Sequence, residues 1–286
     1  MPDGFLASLP FELLIAPSGK SVLQTHIVTY APSATVLTIL RDKPATDRLA
    51  ASALAVAASG PDRREGVLAQ ASVRIQRGVY DLDGTELPPL PAAAEEAEAV
   101  VSIVGGDSVV LKGAEATEFT FKKQPLSRFR ILHFAVHGLV STRYPERSAL
   151  VFHADPQGRE DGLLQAREIA VLPLQADLVT LSACDTGTGK INGQEGSATL
   201  VRPFLVAGAK AVVANLWSAD DDFTRTLMKE FYSQLESGLD VGSALTQAKL
   251  RITGRYGKAA PPRLWAGFVA VGDGLRILSK VYESKH

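Results

Sequence analysis

Short aliphatic and β-branched runs alternate along the chain with stretches whose apolar residues recur every three or four positions. That alternation predicts an α/β fold: a mostly parallel sheet covered by helices on both faces. Strands are predicted at residues 12–16 (ELLIA), 25–31 (THIVTYA), 129–136 (FRILHFAV), 176–183 (ADLVTLSA), 209–217 (AKAVVANLW) and 265–272 (WAGFVAVG). SALVFHA, residues 148–154, reads as a short hairpin strand. Helices are predicted over 44–58, 91–105, 196–208, 221–238 and 240–254. Pro44, Thr46 and Asp47 supply start signals for the first, and Pro203 marks a bend or a first turn in the third. The 221–238 segment has the clearest pattern. Phe223, Leu227, Phe231 and Leu235 fall on one stripe, and Gly238 stops it. Residues 59–91 are rich in Gly, Pro and charge and read as a surface excursion, with a hairpin candidate at 73–84. No internal repeat and no clear linker divides the chain, so a single domain over residues 1–286 is expected.

Composition narrows the function classes. The formal net charge of −1 gives no overall basic surplus for nucleic acid or an anionic membrane. One cysteine excludes an internal disulfide and a multi-cysteine zinc site, and it fits a reducing compartment. The N-terminus lacks a basic signal-peptide start, and no apolar run approaches the ~18 residues of a membrane span. A soluble cytoplasmic protein without cofactor or metal is expected.

The stretch LSACDTGTGK, residues 181–190, poses the functional question. A Walker-type phosphate loop needs Gly four residues before its Gly-Lys pair and Ser or Thr after it. Cys184 stands at the first place and Ile191 at the second, so the phosphate reading fails. As a nucleophile, Cys184 fares better, because it follows a predicted strand at the sheet edge where open α/β folds put their sites. A thiol also needs a base, usually imidazole. His137, in AVHG, leaves another predicted strand 47 residues earlier, with Gly138 to let the chain turn. That spacing is close to the roughly 50 of caspase-type enzymes. The alternative is a small buried cysteine and an unrelated loop histidine. His133 is predicted to be a packed strand residue, because HFAVH lacks the glutamate of a zinc-protease helix. His153 is predicted to be solvated near an acidic turn, and His26 and His286 have no partner pattern.

ILHFAVHG, then LVTLSACDTGTG, then GQEGSATLVRPFLVAGAKAVVANLWSADDDFT resemble the CHAT domain, a caspase-like and separase-like cysteine peptidase domain usually joined to TPR repeats. PDGFLASLPFELL, IVTYAPSATVL, LPAAAEEAEAV and LWAGFVAVGD resemble further blocks of the same family. The resemblance covers nearly the whole chain apart from 59–91, and it implies a caspase-like three-layer α/β/α sandwich. Family members usually carry sequence before PDG, so upstream family sequence is expected to be missing here.

The resemblance implies peptide-bond hydrolysis by a dyad, with Cys184 attacking the carbonyl and His137 handling protons. It also implies an oxyanion site from the backbone N–H groups of Gly138 and Cys184. In separase-like relatives the position matching Asp221, after Leu216-Trp217, binds a basic P1 side chain. Helix capping by Asp220, Asp221 and Asp222 explains the same acids without a pocket. Glu195 and Asp185 are further candidates for the pocket, with first-turn and tight-turn roles as their alternatives. The expected substrate is a protein or peptide cut after Arg rather than Lys, in a regulated bacterial system of the defence type. A sensor or TPR module outside the chain is the expected regulator. Self-cleavage at Arg63-Arg64 would show in the intact mass. Two other readings share these residues: an inactive caspase-like scaffold, and a Cys-His enzyme acting on small molecules.

Overall fold

The computed structural model describes residues 6, 9–42, 52–58, 87, 89–141, 143–182, 196–217 and 220–278, with only the backbone at 196–199. Its strands are β1 (Ala53–Ala58), β2 (Val109–Lys112), β3 (Ile131–Val136), β4 (Gly138–Leu139), β5 (Ala149–Val151), β6 (Leu163–Gln165), β7 (Leu178–Leu181), β8 (Ala211–Asn215) and β9 (Phe268–Gly272). The longer helices are α1 (Ala34–Asp42), α2 (Ala93–Val104), α3 (Gly196–Ala207), α4 (Asp221–Glu236) and α5 (Val241–Tyr256). Six strands form the central sheet in the order β2–β1–β3–β7–β8–β9. All neighbours run parallel except β9, which is antiparallel to β8. The strands β4, β5 and β6 form a small antiparallel sheet beside the end of β3.

Side-chain alternation sorts the sheet's two faces. Leu132, Phe134 and Val136 of β3 pack with Leu40 of α1, Phe121, and Val201 and Phe204 of α3. Ile131 faces the other way, with Val100 of α2, Leu227 and Phe231 of α4, and Leu245 of α5. The result is a three-layer sandwich. Leu227, Phe231 and Leu235 of the predicted stripe on α4 are buried and Phe223 is partly so, with Met228 and Tyr232 widening the buried face. Pro203 lies inside α3, where the helix forgoes one backbone bond.

Three predicted elements are corrected. Residues 53–58 were expected to continue a helix, yet they form β1, buried along its whole length between β2 and β3. Alanine favours helix in isolation, but here Ala55 and Ala57 let Ala93 and Ala97 of α2 approach the sheet closely. Tertiary packing overrides propensity. The predicted strand at 12–16 is instead a 3-10 turn, Phe11–Leu13, opened by Pro10, and Ile15 makes only a single bridge to Ser21. The segment 25–31 contributes only Tyr30, bridged to Val271 at the outer edge of β9. The helix α1 and the strand β2 were not anticipated. The hairpin expected at 73–84 and most of the 59–91 excursion lie outside the described residues.

Gly208 sets the turn from α3 into β8. Its φ is +119°, and a Cβ there would stand 2.3 Å from the Leu174 carbonyl oxygen. Gly208→Ala is expected to cost more than about 1 kcal/mol, because strain and clash combine. A urea titration reads this as a lower midpoint.

Candidate active site

The strands that precede the two catalytic candidates in the sequence are direct neighbours. β3 and β7 pair in parallel from Ile131–Leu178 to Phe134–Leu181, partners 47 positions apart throughout. The ladder continues one step further, where the Ser182 N–H donates to the Phe134 carbonyl at 3.0 Å. Both strands therefore end at the same, carboxyl-terminal edge of the sheet. His137 follows β3 there and is fully buried. Its carbonyl accepts from the Val151 N–H at 2.8 Å, which ties the exit of β3 to the β4–β5 ladder.

That bond also orients Gly138. In an antiparallel pair, bonded and non-bonded partners alternate. His137 opposite Val151 is a bonded position, so Gly138 opposite Leu150 is a non-bonded one. The N–H of Gly138 consequently points away from β5. Gly138 is thus the first residue of a strand, not the turn that the sequence led one to expect.

Below this edge, on the α2–α4 face, lies a chain of buried polar groups. The Glu96 Oε1 contacts His133 Nε2 at 2.9 Å and accepts from the Ser182 hydroxyl. His133 Nδ1 lies 3.2 Å from the Tyr232 hydroxyl, which lies 2.9 Å from Thr180 Oγ1. Burial pushes the Tyr232 phenol far above its ordinary range, so it stays protonated and can donate. A neutral His133 with its proton on Nε2 satisfies every contact, from Thr180 through Tyr232 and His133 to Glu96. His133 is therefore the packed strand residue that its context predicted, with partners the sequence did not reveal.

The acids that follow β8 divide their work. Asp220 is the N-cap of α4, accepting from the Phe223 N–H at 2.9 Å. Asp221 instead accepts from the Ala92 N–H at 2.6 Å, at the start of α2. Burial raises the pKa of Asp221; the Ala92 N–H opposes the rise, and repulsion from Glu96, Asp222 and Asp220 adds to it. Capping by side chain thus falls to Asp220. Arg225 is engaged by Glu95 and Asp222. Trp217 is held by its indole N–H donating to the Arg263 carbonyl at 2.7 Å. Cys184, Asp185 and Glu195 lie outside the described residues.

The sequence matches the CHAT domain family over residues 1–273. The chain belongs to the CHAT domain family. Tetratricopeptide repeat protein 28 of Mus musculus is 27% identical, over 67% of this chain and 9% of its own length. Its Homo sapiens counterpart matches with the same identity and coverage. This chain therefore spans about a tenth of the curated relatives that it matches. Among solved structures, the Saccharomyces cerevisiae separase–securin complex matches with a TM-score of 0.53 and 16% identity, over 93% of this chain and 15% of that one. The Arg-specific cysteine proteinase gingipain R matches with a TM-score of 0.52 and 9% identity, over 82% of this chain and 49% of that one. The fold is the caspase-like α/β fold, with a mostly parallel central sheet, that these solved structures share.

Elsewhere in the CHAT domain, Glu118, Glu160 and Glu168 gather their carboxylates within reach of one ion. The Lys122 ammonium already binds all three, at 2.7, 3.2 and 2.8 Å respectively. A lysine with three carboxylate partners accounts for the cluster without a metal. His153 is half-buried, and its backbone N–H donates to the Ala116 carbonyl at 3.0 Å. His26 is exposed beside the Thr25 hydroxyl. No helix among the described residues is long and apolar enough to cross a membrane.

Sequence reasoning missed Glu96. The signal was present: Ala93, Ala97, Val100 and Val104 define the buried stripe of α2, and Glu96 falls on it. A carboxylate on a core-facing stripe needs buried partners.

Proposed function

We propose that this CHAT domain is a cysteine endopeptidase in which Cys184 is the nucleophile and His137 the base. One observation carries the reading: the 47-position offset of the β3–β7 register is the spacing of His137 and Cys184. His137 comes three residues after Phe134 and Cys184 three after Leu181, the last paired residues of the two strands, and this equal distance along the sequence supports the pairing of thiol and imidazole. His137 accepts the thiol proton as sulfur attacks the scissile carbonyl carbon. The C–N bond then breaks, and the leaving amine takes the proton from His137. Water attacks the resulting thioester by the same route in reverse, releasing the acid and restoring the thiol. The N–H of Gly138, directed away from β5, supports its role as an oxyanion donor together with the N–H of Cys184.

Asp221 supplies the specificity in this reading. It is a half-buried carboxylate not used as the cap, with repulsion from neighbouring acids that a substrate cation would relieve. A guanidinium matches a carboxylate with two hydrogen bonds, which favours Arg over Lys at P1. The likeness to a separase solved with securin supports a protein partner as substrate, with control by a module outside this chain. The setting in bacterial defence rests on family resemblance.

The test is a peptide set varied only at P1. Loss of a hydrogen bond to a charged group is worth ~1.5–3 kcal/mol, so Asp221→Ala lowers kcat/KM for Arg-P1 peptides about ten- to hundredfold. Apolar P1 peptides change little. An Asp221→Ala protein that cleaves after Arg at the parent rate overturns the pocket.

A further inference from the structure

The exit of β7 is anchored from below in an unusual way. Ser182 is its last described residue, two before Cys184, and its side chain does not face an apolar core. It donates to Glu96, a carboxylate on the first turns of α2 that is 1% exposed. The same oxygen of Glu96 holds His133 of β3 at 2.9 Å. One buried atom therefore joins the two strands that lead to the proposed nucleophile and base. Tyr232 of α4 and Thr180 of β7 close the arrangement from the far side of the imidazole. Every member is at most 1% exposed.

We propose that Glu96 is a positioning residue, which through Ser182 and His133 fixes the carboxyl end of β7 against β3. The inference rests on the assignment of Cys184 as nucleophile. A buried ionised group is a poor source of stability, because its desolvation offsets most of what its partners return. A fully satisfied network does, however, hold one arrangement of its members and resist others. The arrangement held here is the spacing of β3 and β7 at their common edge. Attack by a positioned nucleophile loses rate steeply when its geometry slips by an ångström. The second link of α2 points the same way: its N-cap residue, Ala92, donates its N–H to Asp221. The helix thus joins the pocket acid to the strand that leads to the nucleophile.

The test uses the whole chain and its one cysteine, so that alkylation by iodoacetamide reads Cys184 alone. Four quantities are measured for the parent, Ser182→Ala and Glu96→Gln: the kcat and the KM for an Arg-P1 peptide, the alkylation rate at neutral pH, and the urea midpoint. Glu96→Gln keeps the volume and an acceptor for Ser182 while removing the charge-assisted bond. It serves if Ser182→Ala fails to fold. Misplacing a positioned group costs roughly tenfold or more in kcat, with KM within about twofold. A thiol moved from its base reverts toward an ordinary pKa of ~8.5, so alkylation slows several-fold. A smaller loss of the same kind is expected for Glu96→Gln. Variants that lose only urea resistance, with kcat and alkylation at parent values, overturn the proposal. If the parent cleaves no peptide, the peptidase reading fails, and the alkylation rates still decide the positioning role. Slower alkylation in the variants then supports it, and equal rates refute it.

Discussion

Cys184→Ala is expected to lower peptide hydrolysis by about ten-thousandfold or more, to the level of binding and oxyanion stabilisation without a nucleophile. The reason is specific to the chemistry. With no sulfur there is no thioester, and water must attack the peptide carbonyl directly. His137→Ala is expected to lose nearly as much, since the thiol then keeps its proton near neutral pH. The double variant should be scarcely worse than either single one, because residues that act as a unit do not contribute additively. In the sequence both residues come soon after neighbouring parallel strands, and the proposed dyad makes them one unit, which is why non-additivity is expected. Kinetics on the three variants with one Arg-P1 peptide check it. Losses that multiply in the double variant would mean that the two residues act separately.

The second large effect concerns stability. Lys249 of α5 is fully buried, and its ammonium donates to Glu12 and to the Phe268 carbonyl of β9. Burial lowers the pKa of Lys249, while attraction and hydrogen bonding from Glu12 oppose that shift. Removing one partner of a buried ion pair strands the other, at a cost of about 3–5 kcal/mol. Glu12→Ala is expected to lose about that much in a urea titration at neutral pH. The pH dependence has a defined sign. With its pKa depressed in the folded state, Lys249 binds fewer protons folded than unfolded, so stability rises with pH up to the unfolded value near 10.5. In Glu12→Ala, where the opposing carboxylate is gone, the rise begins at lower pH and is larger in total. A variant as stable as the parent, with the same pH dependence, would show that the ammonium finds other partners.

The sequence disclosed the parts of this fold whose signals are local. The stripe Phe223, Leu227, Phe231 and Leu235 announced α4, and β3, β7, β8 and β9 were legible as apolar runs between helical patterns. His137 could be placed at a strand exit for the same reason. What was not legible depended on neighbours. The alanines of β1 look helical until α2 is laid against them, and Glu12 looks like part of a strand until Lys249 is seen beneath it. Asp220 and Asp221 are adjacent acids with equal claims to the cap, and their partners, the Phe223 N–H and the Ala92 N–H, separate their roles. Glu96 was the costliest omission, because a buried carboxylate on an apolar stripe is visible in one dimension but its partners are not.

The most direct measurement is covalent capture. A peptidyl chloromethyl ketone with Arg at P1 is incubated with the parent, with His137→Ala and with the urea-unfolded chain, and intact mass is followed over time. The account predicts one adduct per chain at Cys184 in the parent, formed much faster than in either comparison sample. Labelling of the parent no faster than of the unfolded chain, or unchanged by His137→Ala, would contradict the dyad.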